Sequence, residues 1–303
     1  MTGATMRLAA VLTCVALATS RLGLVLHELA GHGGVALALG GSILEVKLFW
    51  FAGGWIRYRV DTGDAGWLAI AMGGIASELV VGGALVAFVR GPTLGARLVR
   101  GAGGAVIVHA LWYFATGAWH GQGDGQLLYA DLGDARWPVA IAGGAVACAV
   151  TFWGARYVAG AIAGTVARRW QVVAALVAAF AINLALDVGE LAIRRDRQYQ
   201  QTMQREDERV VQRELAAWER EELARRAAID AAARDAEAER LAAQNRQFPF
   251  RWLLGGGLAI AFAAGAWRSR REAAAAVSAR LVARAAAVAA LATALVIVLD
   301  ALL

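Results

Sequence analysis

The sequence predicts an all-α polytopic membrane protein with about seven transmembrane helices, a membrane-associated β-hairpin and one long charged helix outside the membrane. Of the 303 residues, 59% are hydrophobic, and the mean hydropathy is +0.52. Both values lie well above those of soluble globular domains. Several apolar runs also approach the roughly 20 residues that a helix needs to cross a bilayer. These observations argue against an ordinary soluble domain.

Seven apolar segments define the predicted membrane helices. They are expected at residues 6–37, 65–89, 101–119, 138–158, 171–193, 252–267 and 285–303. The first segment has no small-residue cleavage site before its histidines, so we expect it to remain a helix of the mature chain. The predicted organisation is a membrane-embedded core at 1–193, a charged segment at 194–250 and a C-terminal helical hairpin at 251–303.

Residues 40–60, "GGSILEVKLFWFAGGWIRYRV", interrupt the helical pattern after the first segment. Apolar and polar side chains alternate, and Gly53-Gly54 separates two alternating runs. Alternation on both sides of a glycine pair is typical of a β-hairpin. We therefore predict a hairpin at 43–60 that lies on the membrane surface or dips into it. An interfacial loop anchored by its tryptophans is the alternative.

The segment at 194–247 has a very different composition. It carries 12 Arg and 12 Asp or Glu and contains neither Gly nor Pro. Opposite charges recur three and four residues apart, which favours a long solvated helix. At ~1.5 Å per residue, such a helix extends roughly 80 Å. It is either a solvated spacer or a coiled-coil surface that binds a protein partner through 194–250.

The net charge of +6 comes almost wholly from arginine, and Lys47 is the one lysine. The arginines cluster at segment ends, close to lipid headgroups, so we expect membrane lipid and no nucleic acid as a partner. This arginine usage predicts a bacterial protein of the cytoplasmic membrane. Most of these arginines lie on the side where the first segment begins, and the positive-inside rule makes that side cytoplasmic. Cys14 and Cys148 lie in apolar runs and predict no disulfide or cysteine metal site.

The stretch "LVLHELAGHGG", residues 24–34, places His27, Glu28 and His32 inside the first apolar segment. Ionisable residues within a bilayer mark candidate functional sites because their burial is costly. The common zinc-protease motif, His-Glu-x-x-His, places two imidazoles one helical turn apart. Here the histidines are five residues apart, so on a regular helix, at about 100° per residue, they diverge by about 140°.

A local π-turn resolves this mismatch. At about 4.4 residues per turn, it brings the imidazoles of His27 and His32 to within roughly 50° of each other, and Gly31 eases the distortion. Metal binding therefore predicts irregular winding around Leu29–Gly31. The alternative is structural: Glu28 and His32 form a buried pair four residues apart, while His27 faces a neighbouring helix.

The letters "HELAGH" resemble the "HELLGH" motif of dipeptidyl peptidase III. The wider arrangement, over about residues 20–135, resembles the site-2-protease family of intramembrane zinc metalloproteases. The His-Glu helix precedes the hairpin, the Gly-rich "AMGGIASELVVGGAL" and then "GDGQLLYADLG". The chain departs from the family in its longer His-Glu motif, in the missing Asn-Pro before the Asp-Gly, and in having no visible inserted peptide-binding domain.

This resemblance implies a zinc metalloendopeptidase that hydrolyses peptide bonds of membrane-spanning protein substrates. It implies His27 and His32 as zinc ligands and Glu28 as the base that activates a zinc-bound water. Family order favours Asp124, in "DGQLL", as the third ligand. Glu78 and His109 lie at depths in the second and third segments that keep both open as alternatives.

Two other functions fit the same sequence. One is a non-enzymatic membrane scaffold that binds a partner through 194–250. The other is a transporter that uses the buried acids Glu78, Asp187 and Glu190 as an ion path. Asn183 shares a helical face with Asp187 and Glu190, and this face either lines a wet entrance to the site or caps the helix where it leaves the membrane.

Overall fold

The computed structural model describes most of the chain outside the charged segment. The described residues are 2–121, 123–166, 168–194, 215–216, 218–220, 234–239, 250–269 and 276–303. The predicted helix at 194–250 therefore lies almost entirely outside the described residues. The short described parts of it, at 215–216, 218–220 and 234–239, are helical.

Seven helices have the length and apolar composition needed to cross a membrane. They are Gly3–Ala38, Asp64–Phe88, Leu94–His120, Gly133–Gly164, Arg169–Arg194, Phe250–Arg268 and Ala279–Leu302. Each overlaps one of the seven predicted segments, which confirms the predicted helix count over the described part of the chain. Seven apolar helices of this length suggest an integral membrane protein.

We number the α-helices in chain order. They are α1 Gly3–Val25, α2 Gly34–Ala38, α3 Asp64–Phe88, α4 Leu94–His120, α5 Gln126–Leu132, α6 Arg136–Gly164, α7 Arg169–Arg194, α8 Phe250–Arg268 and α9 Ala279–Leu302. A π-helix, Leu26–Gly33, joins α1 to α2, and short 3₁₀ turns at Gly123–Gly125 and Gly133–Ala135 flank α5. The first span is thus one continuous helix made of an α-helical, a π-helical and a second α-helical segment.

The helices pack through their small residues. Helix α3 packs on the π-helix and α4, α4 packs on α6, α6 on α8, and α1 on both α7 and α9. Between α3 and α4, a Cβ added at Gly82 would lie 2.7 Å from the backbone oxygen of Gly103. Small residues at such crossings let helix backbones approach closely, which is how helices associate in lipid.

The predicted hairpin is confirmed. Strand β1, Ser42–Leu48, pairs antiparallel with β2, Gly54–Arg59, and Leu48 lies opposite Gly54. The register shifts between Ile43 and Glu45. On its inner side, the hairpin packs against the π-helix, because a Cβ at Gly33 would lie 3.0 Å from the Cδ1 of Ile56. The hairpin therefore lies directly beside the His-Glu motif.

Large apolar side chains cover the outside of the helices. Phe88, Ile193, Trp252 and Trp267 are among the most exposed of them. Soluble monomers rarely expose contiguous apolar surface on this scale, whereas lipid tails solvate it without cost. The two tryptophans lie near opposite ends of α8, where membrane helices usually place them at the two lipid–water interfaces.

Candidate metal centre

The His-Glu motif lies in the π-helix Leu26–Gly33. The predicted irregular winding around Leu29–Gly31 is therefore confirmed. The wider turn brings the two imidazoles together: the Nε2 atoms of His27 and His32 are 3.2 Å apart, and both rings are buried. This differs from the alternative in which His27 turns away toward another helix.

Glycines on α3 make room for the two rings. A Cβ added at Gly31 would lie 2.5 Å from the Cα of Gly74, so the π-helix and α3 touch backbone to backbone. A Cβ added at Gly74 would lie 2.7 Å from the Nε2 of His27 and 2.8 Å from that of His32. The Gly-rich second span therefore shapes the site by close approach.

Asp124 reaches the motif because the chain turns back after α4. Gly121 and Gly123 have φ angles of 69° and 55°, values that favour glycine. Gly125 then packs so closely on Gly117 that any Cβ would overlap its backbone. As a result, Asp124 Oδ2 lies 2.8 Å from His27 Nε2, and Oδ1 lies 3.1 Å from His32 Nε2.

His27, His32 and Asp124 offer three ligand atoms within 4.8 Å of one another, a group that can hold a metal ion. Atoms bound to a tetrahedral zinc at about 2.0–2.1 Å lie roughly 3.3 Å apart. The two Nε2 atoms are 3.2 Å apart, and each lies within 3.1 Å of a different oxygen of the Asp124 carboxylate. The buried Oδ2 atom of Asp124 has no hydrogen bond of ordinary geometry to another described residue. The donor set and its spacing therefore fit a zinc ion.

The tautomer of His32 also fits metal binding. Its Nδ1 atom lies 2.7 Å from the backbone oxygen of Ile70 on α3. A carbonyl oxygen only accepts, so Nδ1 carries a proton and donates it. In the neutral ring, the form that binds a metal, the lone pair is then on Nε2, which faces His27 and Asp124. Backbone carbonyls commonly orient metal-binding histidines in this way.

The charge of Asp124 is stabilised by the same contacts. Burial alone raises the pKa of a carboxyl group. In the metal-free protein, hydrogen bonds from the protonated rings of His27 and His32, and their charge, outweigh burial and hold the pKa of Asp124 well below its usual range. Asp124 is therefore an ionised carboxylate, the form that binds a cation.

Glu28 lies beside this group. It is buried and close enough to interact electrostatically with His32, His27 and Asp124. Among the described residues no hydrogen bond links Glu28 to His27, His32 or Asp124. Glu28 is therefore a second carboxylate at the site, separate from the ligand group. Its position next to His27 in the π-helix is the one that the motif predicts for a base.

Two tyrosines that the sequence did not single out also approach the site. The ring of Tyr113 lies 5.5 Å from that of His27. Burial, and then the charges of Asp124 and Glu28, raise the pKa of Tyr58 on β2, which shows that Tyr58 lies within electrostatic range of both carboxylates. Tyr113 follows His109 by four residues on a predicted helix, a spacing that places both on one face. Nothing in the sequence connects Tyr58 to the motif.

Glu78 and His109 lie behind the ligand group. The carboxylate oxygens of Glu78 are 2.9 and 3.1 Å from the Nδ1 of His109. Its Oε2 lies 3.6 Å from the Nδ1 of His27, the ring nitrogen that does not join the three-atom group. Of the three residues considered for the third position, Asp124 is the one in the group.

Glu190 has a role that the sequence did not predict. Its carboxylate accepts hydrogen bonds from three successive backbone N–H groups at the hairpin tip: Trp50 at 2.7 Å, Phe51 at 2.5 Å and Ala52 at 3.0 Å. From the other side, Arg21 donates to the carbonyl oxygens of Phe49 and Ala52. Glu190 thus ties α7 to the hairpin and is not simply an end cap of its helix.

Comparisons with protein-family models, with curated proteins and with solved structures find no match for this chain. The resemblance to the site-2-protease family thus remains one of motif order and of the residues quoted above.

Proposed function

We propose that this protein is an intramembrane zinc metalloendopeptidase that hydrolyses peptide bonds of membrane-spanning proteins. The observation that carries the proposal is the convergence of the Asp124 carboxylate on two histidine Nε2 atoms that are 3.2 Å apart in a helix of membrane-spanning length. The order of motif, hairpin and Asp-Gly turn supports it by resemblance to the site-2-protease family.

The residues around the group have distinct roles in this reaction. His27, His32 and Asp124 would hold the ion, and zinc supplies a Lewis acid that polarises the scissile carbonyl and lowers the pKa of water to about 7. Glu28 accepts a proton from the attacking water and returns it to the leaving amine. Because the surroundings exclude most water, each charge acts strongly on the reacting atoms.

The hairpin is the natural place for an extended substrate. Peptide bonds in a transmembrane helix are shielded, so the substrate must unwind before it is cut. In the described part of the chain the sheet has two strands, and no third strand pairs with the outer edge of β1 or of β2. A peptide added along such an edge gains backbone hydrogen bonds and is held extended. Tyr58, on β2, lies within electrostatic range of Asp124 and Glu28.

Metal content is the first test. The purified full chain should contain one zinc per molecule, and changing His32 to Ala should remove it, because two protein ligands bind zinc far more weakly than three. A Glu45→Gln variant is the matched control, since Glu45 pairs with Arg57 on the exposed side of the hairpin. A wild-type chain that takes up no divalent ion rejects the proposal.

Glu28→Gln separates catalysis from metal binding. This variant should keep its zinc but lose at least about 100-fold in the cleavage rate of a transmembrane reporter substrate, the usual contribution of a general base. Cleavage is measured in proteoliposomes, with chelator-treated wild type as a second inactive reference. Full activity in Glu28→Gln would remove Glu28 from the mechanism.

The scaffold and transporter functions make different predictions. A scaffold needs neither zinc nor Glu28, and its function would survive Glu28→Gln. A transporter would show ion flux across the same proteoliposomes that depends on Asp187 or Glu190. The described contacts of Glu190 with the hairpin tip give it a structural role, which favours the peptidase over an ion path through this residue.

A further inference from the structure

Glu78 is only 1% exposed, and the proposed ligand group leaves it without a function. A buried carboxylate is costly unless it is paired and hydrogen-bonded. Its nearest polar partner is the Nδ1 of His109, at 2.9 Å. This contact joins α3 to α4, and it positions the Glu78 carboxylate directly behind His27.

His27 has a free donor on that side. Its Nδ1 is buried and has no hydrogen-bond partner among the described residues. The nearest acceptor is Oε2 of Glu78 at 3.6 Å, a few tenths of an ångström beyond an N–H···O hydrogen bond. The Nδ1 of His32, by contrast, already donates a hydrogen bond to the carbonyl oxygen of Ile70. The two ligating rings thus face acceptors of different kinds, a neutral carbonyl and a carboxylate.

We infer that Glu78 is a positioning residue of the metal centre. It accepts the Nδ1–H of His27 and thereby fixes the tautomer and the ring orientation that direct Nε2 toward the ion. Metal-binding histidines nearly always donate their second N–H to a carboxylate, a carbonyl or water, and a carboxylate also makes the ring a stronger ligand. This inference rests on the metal site of the proposed function.

His109 holds Glu78 in place from outside. Its side chain is 53% exposed, so it forms the outer end of a row that runs from α4 through Glu78 to His27. Tyr113 packs on both imidazoles, with ring centroids 4.9 Å from His109 and 5.5 Å from His27. Helix α4 therefore contributes to metal affinity without supplying a ligand.

Glu78→Gln in the full chain tests the inference, because glutamine keeps the shape and removes the charge. Zinc affinity is measured by competition with a chelator, and the cobalt-substituted protein reports ligand geometry through its visible absorption. We expect zinc to bind about 10–100-fold more weakly, the usual effect of losing such a support, with a changed cobalt spectrum. Glu45→Gln should leave both readouts unchanged. A purely structural role would instead lower the melting temperature of the metal-free chain and leave affinity unaltered.

His109→Gln is the second variant, and it tests the role of Glu78 in zinc binding if Glu78→Gln does not fold. The exposed position of His109 should tolerate the change, and the loosened Glu78 should weaken zinc binding in the same direction but by less. Wild-type zinc affinity and cobalt spectra in both folded variants would overturn the inference. A wild type that binds zinc but cleaves no substrate rejects only the peptidase. A wild type that binds no metal rejects both.

Discussion

Gly74 and Ile70 of α3 contribute to the candidate centre through their backbones alone. Gly74 leaves the space that the imidazoles of His27 and His32 occupy, and Ile70 supplies the carbonyl that orients His32. Neither residue type indicates such a role in the sequence, because glycine and isoleucine are common in membrane helices. Residues of this kind are found only when their neighbours in space are known.

Changing Gly74 to Ala tests the space requirement. The added Cβ would lie 2.7 Å from the His27 ring and 2.8 Å from that of His32, so the rings or the helices must shift and the ligand geometry changes. We expect zinc affinity to fall at least about tenfold, the lower end of what a misoriented ligand costs, as measured by chelator competition.

Gly83→Ala on the same helix is the control, because a Cβ there meets nothing within 4 Å. Equal zinc affinity in the two variants would show that the space at Gly74 is not needed by the metal centre.

The hairpin is held in place by contacts with three different spans. An isolated two-stranded hairpin is marginally stable in water, yet this one is fastened at its tip by Glu190 and Arg21. Asp300 of α9 adds a bond to the backbone N–H of Leu48 and pairs with Arg194 of α7. Three spans therefore hold the element that lies beside the His-Glu motif.

Glu190→Gln should loosen this attachment. Glutamine replaces one accepting oxygen with a donor that faces backbone N–H groups, and it leaves Arg21 and Arg194 undercompensated. We expect a loss of about 2–3 kcal/mol in the free energy of unfolding. Amide exchange at residues 50–52 should also become faster.

Glu45→Gln on β1 is the comparison, since an exposed pair such as Glu45–Arg57 contributes about 0–1 kcal/mol. If Glu190→Gln and Glu45→Gln lower the free energy of unfolding by the same amount, the attachment of the tip is not what stabilises the hairpin.

At the scale of the whole molecule, the seven spans place the hairpin, the Asp124 turn and the C-terminus on one side. The loop between α3 and α4, which contains Arg90, lies on the other side. Near this loop, Arg97 and Arg100 of α4 lie over the ring of Tyr157 at the end of α6. Because arginine concentrates at cytoplasmic ends, this loop is expected in the cytoplasm. The candidate metal centre then opens toward the opposite side.

Reporter fusions test this orientation. An alkaline phosphatase domain, which is active only outside the cytoplasm, should be active when fused after Leu303 and inactive when fused after Gly91. A reporter that folds only in the cytoplasm should give the reverse pattern. If both reporters invert, the metal centre faces the cytoplasm. If both fusion sites behave alike, the number of crossing helices between them is even and the seven-span arrangement is wrong.

The sequence by itself determined the seven apolar helices, the hairpin and the need for a π-turn between His27 and His32. These features depend on neighbours within a few residues: apolar length, alternation and helical angle are local quantities. Only the tertiary structure decided that Asp124, rather than Glu78 or His109, completes the group, and that Glu190 binds the hairpin. Those choices depend on contacts between spans far apart in the chain, such as the backbone-to-backbone contact of Gly31 with Gly74. No periodicity in a single sequence encodes such distances.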